Sequence, residues 1–490
     1  PPTVTSVTPS AGSSEVDRGV TITVEFSEPM RDLSLRRDSV KLIDPNGQPV
    51  EAQIDKSDLQ KVTLTPSKPL HAISPYRIVV TEDAQDQAMN QLADAPFGAT
   101  FTTGWDEPAA LRDLAKKWAP WVYQDLAKTS STGANTDMPT TINFDGDMDA
   151  TNNEENARKS NGTAPKAHVY YHVTSSETHH FIFYLLYYPS RKAGGQDEHT
   201  EHHFGGAVFV VDKENDELVL VDGLRLRPSG PLWLSFTSEE SGIDEVGQYS
   251  SLIKVKKSNW KFEDGSHYPM FVKSGNHETC HWYNTGIPGA GSKCAHRTEE
   301  FTGSAKKGVV LKPGSQANTY AEATTDQNSG LKTAQYKLVP FVEHFWAWRT
   351  KTGQSELFSG IFEYKPNSSD SSRPKSYPGE GNHWLPKSLS TPDGDAVAQT
   401  PFRWESFANE EGDGQWILDP AYVTDDRFDL RSLPSYSDTY CYNLFFEIDE
   451  RSSTMMPSCA PEMGGGDAGM GDAGDVGKAA DTGTTPDAGN

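Results

Sequence analysis

The feature that most constrains this chain is a series of short segments in which polar and apolar residues alternate. Three of them lie near the N-terminus, at 20–26, 62–65 and 76–80, and turn-forming residues separate them, for example at 44–47. Alternation with a period of two directs one side of a strand to the core and the other to solvent. About seven short strands in roughly 100 residues are typical of a β-sandwich. The pattern therefore predicts a small sandwich over residues 1–104.

A longer β-rich region follows one predicted helix. Apolar residues recur at helical spacing between Leu111 and Trp121, which predicts an amphipathic helix. Strand-like runs then predominate as far as Glu450, and the richest in aromatic residues is 180–188. We predict that residues 105–460 form a large antiparallel β-sandwich with long loops and few helices, so that the fold class is mainly β.

The last 30 residues have a different composition. Residues 461–490 are rich in glycine, alanine and aspartate, and Asp-Ala-Gly recurs at Asp467, Asp472 and Asp487. Such a segment has too few apolar side chains to build a core. We expect a flexible acidic tail.

The charge balance limits the classes of partner. The chain has 44 basic and 69 acidic residues, a formal net charge of -25, and no run of about five or more Lys or Arg. A negative surface repels phosphate backbones, so a nucleic-acid partner is not expected. It suits divalent cations, cationic ligands or neutral glycans, although solubility alone would also explain it.

The cysteines indicate an oxidising compartment. They form two pairs that are local in sequence, Cys280 with Cys294 and Cys441 with Cys459, and neither has the Cys-x-x-Cys spacing of a zinc ribbon. Two disulfides are predicted, each stabilising by about 3 kcal/mol. No apolar stretch of about 18 residues is present, so no membrane-spanning segment is expected. The opening at Pro1, without a basic leader, indicates a mature secreted form. We expect a secreted or bacterial cell-surface protein.

One polar segment has oxygen donors at the spacing that suits a hard cation. The candidate ligands are Asp145, Asp147, Asp149, Asn152 and Glu154. Calcium takes about six to eight oxygen ligands and tolerates irregular geometry. Ala150 and Asn156 stand where an EF-hand requires glycine and glutamate, so that motif is excluded. We predict a calcium site, and the alternative is a solvated acidic turn.

Histidines are concentrated in one part of the chain. Seven of the 14 lie between His168 and His203, and the run 197–203 combines three acids with three histidines. His199, His202 and His203 are candidate ligands for a divalent metal, because imidazoles on one face of a strand can share an ion. Gly205 and Gly206 follow at once, and glycines allow a backbone or a ligand to approach closely. The alternative is a polar loop.

The N-terminal region carries a specific resemblance. Phe26-Ser-Glu-Pro-Met30, Asp86-Gln-Ala-Met-Asn90 and the closing 97–103 resemble the bacterial Ig-like domain of the S-layer-protein type. Met89 stands where that family has glycine, so the conformation of this one turn is in question. The resemblance implies an extracellular spacer or adhesive module and no catalysis.

The large region carries a second resemblance, over roughly residues 111–446. Its landmarks occur in order at 119–124, 144–147, 152–154, 170–173, 179–184, 187–189, 268–277 and 414–420. They resemble the bacterial and fungal group related to vacuolar protein sorting protein 62. That group is similar to the necrosis-inducing protein family, in which a Gly-His-Arg-His-Asp-Trp-Glu stretch leads into a core strand and one metal lies in an acidic cleft.

This chain differs from the necrosis-inducing protein family at that stretch. The resemblance aligns His202 and His203 with the family's His-Asp pair, and Phe204 and Gly205 with its Trp and Glu. The acidic ligands are therefore not kept, and a softer ion such as zinc becomes more plausible than calcium at this position. His277, at the later landmark, is a further candidate ligand.

Two functions remain open on the sequence. One is a surface protein in which a divalent metal in the large domain helps recognise an extracellular glycan or an envelope lipid headgroup. The other is a secreted metal-dependent hydrolase acting on an extracellular polymer, with Glu198 or Glu201 as candidate catalytic bases. No Gly-x-Ser-x-Gly, His-Glu-x-x-His or phosphate-binding glycine loop is present.

Overall fold

The computed structural model describes most of residues 1–446. The residues outside the described part are 46, 106, 127–133, 148–151, 160–162, 193–198, 228–229, 245–249, 259, 283–307, 328–329, 347–360, 365–382, 387–414, 431–432, 434 and 447–490. The predicted flexible tail, at 461–490, thus lies outside the described residues.

Strands predominate over helices. The strands are β1 (Val4–Thr8), β2 (Ile22–Phe26), β3 (Val40–Ile43), β4 (Ala52–Asp58), β5 (Lys61–Pro66), β6 (Pro75–Val80), β7 (Phe97–Thr102), β8 (Trp121–Gln124), β9 (His168–Ser176), β10 (His179–Lys192), β11 (His199–Asp212), β12 (Glu217–Arg227), β13 (Gly230–Ser238), β14 (Ser250–Val255), β15 (Pro269–Val272), β16 (Thr279–His281), β17 (Val309–Pro313), β18 (Thr324–Thr325), β19 (Lys332–Pro340), β20 (Ile361–Tyr364), β21 (His383–Pro386) and β22 (Tyr440–Tyr442). The α-helices are α1 (Ala109–Lys117), α2 (Asn153–Arg158), α3 (Phe341–His344), α4 (Gln415–Leu418) and α5 (Pro420–Phe428).

The first seven strands form the predicted small sandwich. One sheet has the order β1-β2-β5-β4 and the other β3-β6-β7. Strand β2 shows why the alternation was informative, since Ile22, Val24 and Phe26 are buried while the residues between them are half-buried. Met89 adopts φ 66°, the left-handed conformation that glycine favours. The turn is nevertheless kept, because the Asn90 backbone N–H donates to Asp86 Oδ1 at 2.8 Å.

In the part of the chain that the structure describes, the large domain is built on one sheet of 13 strands. Its path is β14-β13-β12-β11-β10-β9-β19-β17-β8-β15-β16, with β18 and β22 paired at its sides. The long central strands β9 to β13 are antiparallel, as expected. Four pairings are parallel instead: β13 with β14, β15 with β8, β17 with β19, and β19 with β9. The mainly β fold class is confirmed, and the sheet is mixed.

Both faces of the central sheet are covered. Every residue from Phe181 to Tyr188 in β10 is fully buried. Successive strand residues point to opposite faces. The rings of Phe183 and Trp416 of α4 pack with their centres 5.0 Å apart. On the other face, the Tyr184 hydroxyl donates to the carbonyl of Ala115 in α1 at 2.6 Å. The continuous apolar run in β10 is therefore explained by cover on two sides.

A buried ion pair fixes the C-terminal helices to the sheet. Arg427 of α5 donates through Nη2 to Asp222 Oδ1 of β12 at 3.0 Å, and Trp416 Nε1 donates to Asp222 Oδ2, also at 3.0 Å. Ser235 adds a hydrogen bond at 2.6 Å. A buried carboxylate with this many donors is fully compensated, so its role is structural.

The predicted helix is shorter than expected. Leu111 and Ala115 are buried as the pattern indicated, but α1 ends at Lys117 and Trp121 already begins β8. Pro120 explains the difference, because the residue before a proline disfavours helical geometry. Within the described part of the chain, no helix is long and apolar enough to cross a membrane.

The cysteines that can be described are oxidised. Cys280 in β16 and Cys441 in β22 are each bonded in a disulfide. Cys294 and Cys459 lie outside the described residues. The pairing of neighbours in sequence stays a prediction.

Candidate functional site

A pair of buried histidines stands out where β10 and β11 meet the turn between β15 and β16. His203 lies opposite Tyr188 in the β10–β11 register, and His277 lies in the turn. The two imidazole rings have their centres 5.4 Å apart, and the residues are 3% and 1% exposed. Two residues predicted separately from sequence are thus brought together. We refer to them below as the His203–His277 pair.

The orientation of His277 is fixed by its neighbours. Its Nε2 lies 3.1 Å from Asp137 Oδ1, the same oxygen that accepts from the backbone N–H of Gly275 at 2.8 Å. Tyr188 stacks on the imidazole, with ring centres 3.7 Å apart and an interplanar angle of 2°. Because a carboxylate can only accept, Nε2 carries the hydrogen and Nδ1 keeps its lone pair. That Nδ1 is buried and has no hydrogen-bond partner in the structure described.

The environment keeps both imidazoles neutral. Burial lowers the pKa of His203 well below its ordinary value, and the nearby His277 and Arg191 lower it further. Burial also lowers the pKa of His277, although the hydrogen bond to Asp137 opposes this shift. Neutral imidazole is the form that binds a metal.

The spacing of the pair suits one shared ion. With Zn–N bonds of about 2.0–2.1 Å in a tetrahedral site, two ligating imidazoles have ring centres about 5 Å apart. The observed separation is 5.4 Å. A histidine whose second nitrogen is held by a carboxylate is also the usual arrangement around protein-bound zinc.

His202 belongs to a neighbouring network. It adopts φ 57° and lies between Glu201 and His203, which pair with Ser190 and Tyr188 of β10. Its Nδ1 lies 2.7 Å from the Tyr187 hydroxyl, which accepts from Asn153 Nδ2 at 2.8 Å. His202 is therefore held beside the His203–His277 pair through a different set of partners.

The remaining residues predicted at this site can be described only in part. His199 and Glu201 lie in β11 opposite Lys192 and Ser190, and their side chains are outside the described part of the structure. Glu198 lies outside the described residues altogether. Their assignment as ligand or catalytic base stays a prediction.

The acidic segment forms a hydrogen-bonded turn leading into α2. Asn156 donates to Asp145 Oδ2 at 2.6 Å and to Asn152 Oδ1 at 2.8 Å. Asp145 Oδ1 is buried and has no partner in the structure described, whereas Asp147 is exposed and Glu154 pairs with Arg158.

Two of the five proposed oxygen donors, Asp145 and Asn152, thus share a single amide. Asp149 lies outside the described residues. Calcium binding here stays a prediction.

The sequence did not reveal Asp137, Tyr188 or Arg191 as part of the site. Asp137 lies 140 positions before His277, in a short 3-10 turn without a recognisable motif. Tyr188 and Arg191 belong to a strand whose aromatic residues indicate a hydrophobic core and not a ligand site. Among the described residues, no three His, Cys, Asp or Glu side chains gather as a complete ligand set.

Comparisons with known proteins identify only the N-terminal domain. Residues 1–103 match the model of the bacterial Ig-like domain family, which confirms that expectation and is compatible with an extracellular or surface location. No curated protein matches the chain.

Solved structures are similar only remotely. CopC from Methylosinus trichosporium OB3b is 14% identical, covers 21% of this chain and 94% of its own, and has a TM-score of 0.17. A structure described as a toxin fold for microbial attack and plant defense is 18% identical over 36% of this chain and 71% of its own, with a TM-score of 0.23. NLPPya in complex with mannosamine is 17% identical over 36% and 70%, with a TM-score of 0.22. Such scores assign neither fold nor ligand to this chain.

Proposed function

We propose that this is an extracellular or surface binding protein whose large β domain holds a divalent metal, zinc by ligand type, at the His203–His277 pair and uses it to recognise a glycan or an envelope lipid headgroup. The observation that carries the proposal is His277 Nδ1, a buried lone pair without a partner, on a ring fixed by Asp137 and 5.4 Å from a second neutral imidazole. Leaving such an atom unpaired costs about 1–3 kcal/mol, which a ligand would recover.

The surroundings of the pair favour a negatively charged ligand group. Arg191 of β10 is buried and close enough to lower the pKa of both histidines. A guanidinium beside a cation is unfavourable unless an anion joins them. Two imidazoles also leave coordination positions for oxygens of a bound molecule. A phosphate of a lipid headgroup or a carboxylate of an acidic glycan satisfies both requirements.

Zinc binding tests the proposal. Protein treated with EDTA and dialysed should take up one zinc ion per chain at the pair, measured by calorimetry and elemental analysis. His277→Ala and His203→Ala should each abolish this uptake. Asp137→Asn should keep the ligands but weaken binding about 10–100-fold, because the carboxylate orients the ring.

A matched control separates this site from surface histidines. His168, half-buried with its Nδ1 on the Lys166 carbonyl, should be replaceable by alanine without effect on zinc uptake. Zinc-loaded protein should bind vesicles of phosphatidylglycerol, and His277→Ala should not. Equal zinc uptake by wild type and His277→Ala would refute the metal site, and vesicle binding unaffected by EDTA would refute its role in recognition.

A further inference from the structure

A cleft of about 880 Å³ lies at the start of the large domain and shares no residue with the His203–His277 pair. It is formed by the segment before α1, by α1 itself, by β9 and by the end of β19 with α3. Its volume falls in the range of about 300–1,000 Å³ that holds small organic ligands. We call it the junction cleft.

Aromatic and acidic groups form one part of the lining. Trp105 is half-buried and held by its indole N–H, which donates to the Tyr442 hydroxyl at 3.3 Å. Tyr171 donates its hydroxyl to Glu107. Glu343 contributes a second carboxyl, and its charge, after burial, helps to raise the pKa of Glu107. The cleft therefore joins ring surfaces to hydrogen-bond acceptors, the combination that contacts the two sides of a sugar.

Basic side chains form the other part. Arg112, Lys116 and Lys337 line the cleft, against the two carboxyls of Glu107 and Glu343. Lys116 is paired with Asp113 at 3.0 Å. No side-chain ion pair of Arg112 or Lys337 occurs in the part of the chain described. Arg112 and Lys337 thus place two cationic groups in the lining of a protein of formal net charge -25, and these groups can pair with an anionic ligand.

A histidine completes the donor and acceptor set. His267 lies in the lining, and its Nδ1 is 2.6 Å from the carbonyl of Ala119. A carbonyl only accepts, so Nδ1 carries the hydrogen of this contact, and Nε2 is the other nitrogen of the ring. Hydroxyl groups, which both donate and accept, match such a mixed lining better than a purely anionic or purely apolar molecule does.

We propose that the junction cleft binds an acidic saccharide, with the sugar ring against Trp105 and Tyr171, hydroxyls on Glu107 and Glu343, and the carboxylate on Arg112 and Lys337. The site works without a metal ion. It adds to the proposed function a second place at which the large domain contacts a glycan.

Trigalacturonate and its methyl ester are the probes, because the ester keeps the sugar rings and hydroxyls and replaces each charged carboxylate by a neutral ester group. Calorimetry with the full chain should show binding of trigalacturonate in the presence of EDTA and much weaker binding of the ester. Arg112→Gln combined with Lys337→Met should weaken trigalacturonate at least about tenfold, since each charged hydrogen bond is worth that much or more. Both side chains are exposed, so the variant should keep its fold.

The control is Lys254→Met. Lys254 is an exposed lysine in β14 that pairs with Asp244, and neither residue lines the cleft. It should bind trigalacturonate like the wild type. Absence of trigalacturonate binding, equal affinity for the ester, or unchanged affinity in the double variant would each overturn the proposal. Because EDTA removes zinc from these measurements, a negative result would not contradict the proposed zinc site. A failure to take up zinc would likewise not contradict saccharide binding in the cleft.

Discussion

Three histidines away from the proposed metal ligands, two of them buried and His180 half-buried, contribute to the dependence of stability on pH. Burial lowers the pKa of His172 to about 3, of His179 to about 4 and of His180 to about 3. His172 packs against Phe445 with ring centres 4.4 Å apart, and its Nε2 has no partner in the structure described. The folded state therefore stays unprotonated where the unfolded chain, with a pKa near 6.5, binds protons.

The direction in which stability changes with pH follows from this difference in pKa between the folded and unfolded states. Above about pH 6.5 neither state is charged and the histidines do not affect stability, whereas below it the unfolded state gains protons and stability falls until the folded pKa is reached. His172→Phe removes one such group and one unpaired polar atom. Between pH 7 and pH 5 the variant should lose about 2 kcal/mol less than the wild type, measured by urea unfolding. An unchanged difference between the two pH values would contradict this assignment.

Residue identity predicted part of the site and not the rest. His203 and His277 were found because histidine is rare enough for clusters and landmarks to be noticed. Asp137 was not, since nothing in an Asn-Thr-Asp turn distinguishes it from the other acids of the chain. Its role arises from a contact across 140 positions, which only the folded chain provides.

At the scale of elements, two glycines in β11 explain how the site is assembled. A Cβ on Gly205 would lie 3.2 Å from the carbonyl oxygen of His277, so the turn that carries His277 packs directly on this strand. Gly206 has φ 124°, and a Cβ there would lie 2.0 Å from the carbonyl oxygen of Tyr184. The expectation that these glycines allow close backbone approach is confirmed.

Gly206→Ala should therefore strongly destabilise the large domain. Both the contact with Tyr184 and the strained backbone oppose the new methyl group, and we expect a loss of about 3 kcal/mol or more. Gly265→Ala is the matched control, because Gly265 also has a positive φ, 93°, but its Cβ would meet open space. Thermal unfolding should show a much smaller shift for the control. Similar shifts for both would mean that backbone conformation alone matters.

Local patterns predicted the strands better than their partners. The expected strands at 62–65 and 76–80 correspond to β5 and β6 within a residue at each end. The parallel neighbours of β9 and β8 could not be predicted, because β19 and β15 come from segments more than 100 residues away. Alternation specifies which side of a strand is buried, and it carries no information about distant pairing.

At the scale of the whole molecule, the residues that the structure describes form two hydrophobic cores. One gathers residues from Ile22 to Phe101, and the other gathers residues from Leu111 to Phe445 together with Ala72. The boundaries at 104 and 460 are predictions that fragments can test. Residues 1–104 and 105–460 should each unfold cooperatively, and removing 461–490 should not lower the melting temperature. A fragment 105–460 that melts without a cooperative transition would place the boundary elsewhere.

We infer that His203 and His277 hold one metal ion, and crystals of the zinc-loaded full chain, measured on either side of the zinc absorption edge, test this inference. We expect an anomalous peak about 2.0–2.1 Å from Nδ1 of His277 and at the same distance from a ring nitrogen of His203, with Nε2 of His277 still hydrogen-bonded to Asp137. Crystals of His277→Ala should lack the peak. Zinc bound elsewhere, or no peak between the two imidazoles of the wild-type protein, would contradict it.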